Sequence, residues 1–196
     1  GALVERMAEG LNIQLNHTVQ TITHTNLGIK AAGSWGSIEA DQAILSVPLG
    51  VLKAQSIQFS PPLPADKIAS INRLSMGLLN KIILTFKKPF WPSDAHRLGL
   101  LTDSTKERIE YFPVPPGGNS GILVGLAYGD FAREIERMSK NEVINKAIGQ
   151  LQKMVPTISV DDVIDVYITR WASDPMAQGA YIHIPPYGSM GDCENL

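Results

Sequence analysis

Apolar residues recur at helical spacing at the start of the chain, where Leu3, Val4, Met7, Ala8 and Leu11 share one face and Gly10 is placed to end the run. An amphipathic helix is expected there, burying that stripe. From His17 to Leu52 the pattern changes to short β-forming runs separated by turn signals at Asn26-Leu27-Gly28 and Gly33-Ser34-Trp35-Gly36. They predict a meander of about three strands. It closes in Ala43-Ile44-Leu45-Ser46-Val47, whose almost unbroken apolar character predicts a strand covered on both faces. Pro48, Pro61, Pro62 and Pro64 then punctuate an extended passage, the best place for a domain crossing. Residues 1–55 and 56–196 are the expected units.

Ile68, Ile71 and Leu74 next share one helical face, and Gly77 releases the chain into Asn80-Lys81-Ile82-Ile83-Leu84-Thr85-Phe86, a strand entering a core. Further strands are expected over 97–103, 108–114 and 121–129. Gly121, Gly125 and Gly129 repeat at the spacing of a membrane-helix dimer motif, but the stretch is far too short to span a bilayer, and a strand with close backbone neighbours is the better reading. Residues 139–155 make a helix: Ser139 and Glu142 form a capping box, Val143, Ile144, Ala147, Ile148, Leu151 and Met154 line a face, and Pro156 stops it. A strand follows over 162–171, then loop, short strand and loop over 172–188, with no closing element evident in 191–196. Strands and helices mix without a βαβ rhythm. The expected class is α+β, a mixed β-sheet flanked by helices and preceded by a small β-meander unit.

With 196 residues there is enough chain for one good-sized domain or two small ones. Lys and Arg number 17 against 19 Asp and Glu, so no basic field exists for gripping a phosphate backbone, which argues against nucleic acid. Cys193 is the one cysteine, and His17, His24, His96 and His183 are scattered, so no metal-ligand spacing arises. No apolar run has the length of a membrane span. The first residues carry acids and bases where a signal peptide has an apolar core, and the chain opens without Met; it reads as a fragment or processed piece.

Spacing alone says little about chemistry. There is no glycine-rich dinucleotide or phosphate loop, no nucleophile elbow, and no His-acid pair at a helical interval. Residues 115–121, rich in Gly and Pro, read as a surface turn, and Asp161-Asp162 as solvated loop acids. Lys81 is different, because a cation at the start of an apolar strand costs stability unless it snorkels to water or is needed there. Trp171 and Tyr181, in the segment after the 162–171 strand, could be core aromatics or walls of a site.

Three stretches, residues 39–53 (EADQAILSVPLGVLK), 57–91 (IQFSPPLPADKIASINRLSMGLLNKIILTFKKPFW) and 170–184 (RWASDPMAQGAYIHI), resemble in order and spacing the flavin-dependent amine oxidases, which include polyamine oxidases, monoamine oxidases and lysine-specific histone demethylases. The resemblance runs essentially from residue 1 onward. It implies a dinucleotide-binding domain holding FAD and a substrate domain with a sheet backed by helices; residues 1–55 would be part of the former. It also implies that Lys81 lies beside the flavin ring and holds a water near the nitrogen that receives hydride. By the same resemblance Trp171 packs near the flavin, Tyr181 lines the substrate channel, Val19 meets the adenine end of FAD through its backbone, and Pro48 and Leu49 form a strand exit near the cofactor. The implied reaction moves hydride from the carbon next to an amine nitrogen to FAD, with imine hydrolysis and release of hydrogen peroxide.

The family's glycine-rich FAD fingerprint and the acidic segment that completes the flavin site have no counterpart in these residues. The chain by itself is therefore expected neither to retain FAD nor to turn over, and any exposed cofactor-facing surface is expected to drive weak self-association. Two alternatives stay open. One is a non-catalytic protein-binding module built on the same fold. The other is a flavin oxidase of another substrate class, such as amino acids, carotenoids or porphyrinogens. An amino-acid oxidase would need an arginine for the substrate carboxylate, and Arg170, read as a surface residue of its strand, is a poorly placed candidate.

Overall fold

The computed structural model describes residues 1–100, 109–115 and 120–196. Of the strand expected over 97–103, residues 97–100 are described and form no strand, only a single antiparallel bridge from Leu98 to Tyr111, and 101–103 lie outside the described residues, as do residues 116–119 of the turn expected over 115–121.

The meander forms as the turn signals predict. β1 (Thr21–Thr25), β2 (Gly28–Gly33) and β3 (Gly36–Ala40) pair antiparallel in sequence order. Thr25 Oγ1 accepts the Leu27 N–H at 3.1 Å and closes the first turn. β4 (Gln58–Ser60) lies beyond residue 55 in sequence, yet it pairs in parallel with β1 and completes the sheet order β3-β2-β1-β4.

Two expectations here fail. Residues 43–47 form no strand, and Ile44 is 98% exposed, because no strand of the described chain lies beside them and an apolar run by itself has nothing to pair with. The first helix, α1 (Ala2–Ala8), forms and gives way to a left-handed Gly10, but it buries no residue: Leu3, Val4 and Met7 all face out. Periodicity predicted the helix correctly and its packing wrongly.

α2 (Leu49–Lys53) and α3 (Ala65–Arg73) enclose a small core of Leu49, Ile71 and Leu74. The Lys53 ammonium donates to the carbonyls of Ile71, Asn72 and Leu74 at 2.9–3.1 Å, satisfying the open end of α3. A closing element does exist. α6 (Met190–Glu194) is seated by Asp192, 4% exposed at its side chain, which accepts from Arg73 Nε at 2.8 Å, Ser70 Oγ at 3.1 Å and the Ser189 N–H at 2.8 Å. Five residues are too few to show a period, so its side-chain anchor carries it.

The larger sheet runs β7-β8-β6-β9, from β6 (Leu79–Phe86), β7 (Ile109–Val114), β8 (Ile122–Tyr128) and β9 (Val163–Ile168), antiparallel at each described pairing. Alternation along β6 sends Asn80, Ile82, Leu84 and Phe86 to the core face. That face is covered by α4 (Gly129–Arg137), which the sequence reading did not assign, and by α5 (Lys140–Gln152), which carries the expected Ser139–Glu142 capping box. Phe131, Ala132 and Ile135 of α4 join Val143, Ala147, Ile148 and Leu151 of α5 in the core. The opposite face, with Lys81, Ile83 and Thr85, is open or half-buried. In β9 the register against β6 slips between Thr85 and Phe86, so Ile164 is the extra residue of a bulge and is 61% exposed where alternation predicts burial.

Among the described residues no helix is long and apolar enough to cross a membrane, and no cluster of His, Cys, Asp and Glu could hold a metal ion.

Candidate active site

Lys81 lies on the open face of the large sheet, exposed, one residue after the fully buried Asn80. Strand pairing fixes its neighbour. The Lys81 N–H donates to Thr169 Oγ1 at 2.7 Å, and the Thr169 N–H donates to the Lys81 carbonyl at 3.0 Å, which extends the β6–β9 ladder by one step.

Two residues on, the Trp171 N–H donates to Asn80 Oδ1 at 3.1 Å, and the Thr169 hydroxyl donates to the same oxygen at 3.1 Å. The Asn80 amide donates to Glu136 Oε1 at 2.9 Å. Glu136, on the last turn of α4, also accepts the Ala172 N–H at 2.7 Å and the Ser173 hydroxyl at 2.6 Å. Burial alone would raise the Glu136 carboxyl, but hydrogen bonds from Asn80, Ser173 and the backbone of 172–173 together outweigh it and hold the group below its ordinary range. Arg170 turns the other way: Nη1 donates to the carbonyl of Ile135 at 2.9 Å and to that of Glu136, and Nη2 to that of Met138 at 2.7 Å. It is half-buried at the carbonyl end of α4, which corrects its reading as a surface residue; its guanidinium is committed to the helix, not offered to a substrate carboxylate.

From Trp171 the chain makes a loop whose neck is closed by the Gly179 N–H on the Trp171 carbonyl at 2.8 Å. Beyond it the Ala180 N–H donates to the Gly77 carbonyl at 2.9 Å, and the Gly77 N–H to the Tyr181 carbonyl at 2.8 Å. β5 (Ser75–Met76) and β10 (Ile182–His183) continue this pairing. Tyr181 is thereby held with φ +68°, a left-handed conformation that a bulky residue rarely adopts, with its side chain largely outside the core at 67% exposure. Trp171 is 39% exposed.

Backbone links thus gather Lys81, Trp171 and Tyr181. The N-terminus of α2 approaches the same loop: a Cβ built at Gly50 would lie 2.5 Å from the carbonyl oxygens of both Ala177 and Gln178, so only glycine permits this contact. Pro48, exposed, caps that helix; Leu49 is 2% exposed in the small core. Val19 is elsewhere, half-buried at the head of β1, where Gln20 pairs with Ala32 and Gln58.

Asn80, Glu136 and Thr169 escaped the sequence reading. One signal was available: Asn80 precedes Lys81 at the core-facing phase of an alternating strand, where a polar side chain requires a partner. That partner, Glu136, lies in a helix far along the chain.

The model of the family described as flavin containing amine oxidoreductase matches residues 1–196. Protein FLOWERING LOCUS D of Arabidopsis thaliana is 34% identical over 98% of this chain and 25% of its own length. Polyamine oxidase 5 of Oryza sativa subsp. japonica is 36% identical over 91% of this chain and 36% of its own length. Lysine-specific histone demethylase 1 homolog 2 of Arabidopsis thaliana is 34% identical over 93% of this chain and 25% of its own length. The chain therefore spans about a quarter to a third of these curated relatives. A solved structure of wild-type putrescine oxidase bound to putrescine has the same fold, with a TM-score of 0.75 at 24% identity over 93% of this chain and 41% of that one.

Proposed function

Because the chain belongs to the flavin containing amine oxidoreductase family, we propose that it forms part of an FAD-dependent oxidase of small-molecule amines, contributing one wall of the site from Lys81, Trp171 and Tyr181. The observation that carries this reading is the run of backbone links that ties an exposed lysine to two exposed aromatics: Lys81 to Thr169 two residues before Trp171, Trp171 to Gly179, and Tyr181 to Gly77 ahead of the Lys81 strand, with Tyr181 in a left-handed conformation. Strain of that kind costs about 1–3 kcal/mol and persists where surrounding structure imposes it, commonly at ligand sites. A flavin ring is flat, largely apolar and gains negative charge on reduction; aromatic side chains beside an ammonium suit it.

The chemistry supplied by FAD when bound is acceptance of hydride from the carbon next to the amine nitrogen, giving an imine that hydrolyses, with the electrons passing to oxygen as hydrogen peroxide. Lys81 contributes fixed positive charge where negative charge develops, and its ammonium can hold a water by hydrogen bonding. Trp171 shields the cofactor side, and the Tyr181 ring binds the alkyl parts of an amine and faces any residual cation. Pro48, Leu49 and Val19 contribute backbone to the cofactor-binding surface. Di- and polyamines are the first substrates to try, given the relatives that carry those names.

The test is the visible spectrum of the protein carrying this chain, followed anaerobically with putrescine, spermine, benzylamine and a methylated lysine peptide. A flavin band that bleaches with one of them is the expected result, with Lys81→Met slowing reoxidation by oxygen by tenfold or more, on the order of the electrostatic contribution of one preorganised group. Absence of a flavin band would sink the enzyme reading and leave a protein-binding module as the account of the fold.

A further inference from the structure

The group around Asn80 has a form that strand pairing does not require. Asn80 is fully buried, and its amide is used at both ends: the oxygen takes the Trp171 N–H and the Thr169 hydroxyl, and the nitrogen reaches Glu136 at 2.9 Å. Glu136 then takes two groups of the residues after Trp171, the Ala172 N–H at 2.7 Å and the Ser173 hydroxyl at 2.6 Å. Arg170, immediately before Trp171, is fastened to three carbonyls at the end of the same helix. Thr169, one residue earlier, takes the Lys81 N–H on its hydroxyl oxygen. Residues 169–173 are thus held at five consecutive positions, with Trp171 in the middle and Lys81 on the neighbouring strand.

From this geometry we infer that Asn80 and Glu136 are positioning residues, a buried clamp that sets the place of Trp171 relative to Lys81. A carboxylate suits the role because it accepts several hydrogen bonds at once, and the donors it meets come from two separate parts of the chain, β6 and the loop after β9. The hydrogen bonds also keep Glu136 ionised, so it stays an acceptor. An amide in its place could still accept from Asn80 and Ala172 on its oxygen and donate to the Ser173 hydroxyl, which also accepts, so the clamp is opened by removing the side chain and not by neutralising it. The clamp's effect on turnover rests on the amine oxidase reading above; its effect on Trp171 does not.

The experiment places 5-fluorotryptophan at Trp35, Trp91 and Trp171 in the protein carrying this chain and assigns the Trp171 fluorine resonance with Trp171→Phe. In Glu136→Ala the Trp171 resonance is expected to shift or broaden while those of Trp35 and Trp91 stay in place. In the flavin-loaded enzyme kcat is expected to fall by about tenfold or more, with the flavin band retained, since small misplacements of site groups carry rate losses of that order. An unmoved Trp171 resonance in folded Glu136→Ala overturns the clamp. A moved resonance with unchanged kcat overturns its role in turnover. Should Glu136→Ala fail to fold, Ser173→Ala, at an exposed position that removes the hydroxyl donor, carries the same test: a smaller displacement of the Trp171 resonance supports the clamp, and none overturns it. The fluorine signal needs neither flavin nor amine. A wild-type protein without a flavin band would therefore remove the enzyme reading and leave the clamp to be decided by Trp171 alone.

Discussion

Tyr181 separates two things a side chain can do. Its backbone is held left-handed by the Gly77 pairing, while its ring is largely exposed, so replacing it should relieve strain without opening the core. Tyr181→Gly is expected to raise stability by roughly 1 kcal/mol, the left-handed strain of ~1–3 kcal/mol less the ~0.5–1 kcal/mol that glycine loses in chain entropy. The urea midpoint measures it; amine KM in the loaded enzyme should rise at the same time. A drop in midpoint would make the ring a structural support instead. Asn80→Ala should act oppositely, lowering stability by about 1–3 kcal/mol as buried partners are left unpaired. At this scale the sequence was half legible. Lys81 stood out as a cation in an apolar run, readable from its immediate neighbours, whereas the importance of Asn80 depends on Glu136, 56 positions away. Left-handed Tyr181 carries no signal in residue type.

Elements whose cause is local were readable, and those held by distant contacts were not. The α5 helix announces itself through Ser139 and Glu142, whose reciprocal hydrogen bonds are present. Ser139→Ala is expected to cost about 1 kcal/mol in thermal or urea unfolding. The close backbone neighbour expected for the glycines of 121–129 is found at Gly121, against the Phe86 carbonyl, whereas at Gly125 on β8 side chains crowd in: a Cβ there would come 2.7 Å from Ile109 Cγ2 and 3.0 Å from the Tyr111 ring, so Gly125→Ala should destabilise by about 1–3 kcal/mol. α6 was invisible because one carboxylate seats it. The Arg73 guanidinium, the Ser189 N–H and the Ser70 hydroxyl hold Asp192 well below the usual carboxylate range. Its folded value is the depressed one, so its stabilisation is complete above the unfolded value of about 3.9 and is lost as pH falls below that toward the folded value. Asp192→Asn should therefore lie below the wild type in urea midpoint near neutral pH, and the two curves should converge in acid. Parallel curves down to about pH 2 would assign the seat of α6 to other contacts.

On the scale of the whole molecule, the chain has one well-filled core beneath the large sheet and a second, smaller one under α2 and α3, with apolar surface left over at its start. Leu123→Ala, at a fully buried position of β8, should cost about 2–5 kcal/mol. The uncovered Leu3, Val4, Met7, Leu11 and Ile44 lead us to propose weak self-association, expected as a weight-average mass that rises with concentration in sedimentation; a constant monomer mass would refute it. Most strands and the helices α1, α3 and α5 were legible in the sequence because periodicity reports local pattern, while α4 and α6 were not; which faces find cover depends on what is beside them, and for α1 and residues 43–47 that is nothing in the described chain. The position of α4 carries one more consequence. Its first residue donates to the Leu78 carbonyl at 2.9 Å, its last turn holds Asn80 and receives Arg170, and so both of its ends are fastened to the strand heads that carry Lys81 and Trp171. Those parts cannot fray in turn. In native-state hydrogen exchange, Gly129–Arg137, the start of β6 and residues 169–172 should open together with a single free energy, as one cooperative unit, and the candidate site should vanish all at once on heating, with no loosened intermediate in which the lysine is in place and the tryptophan is not.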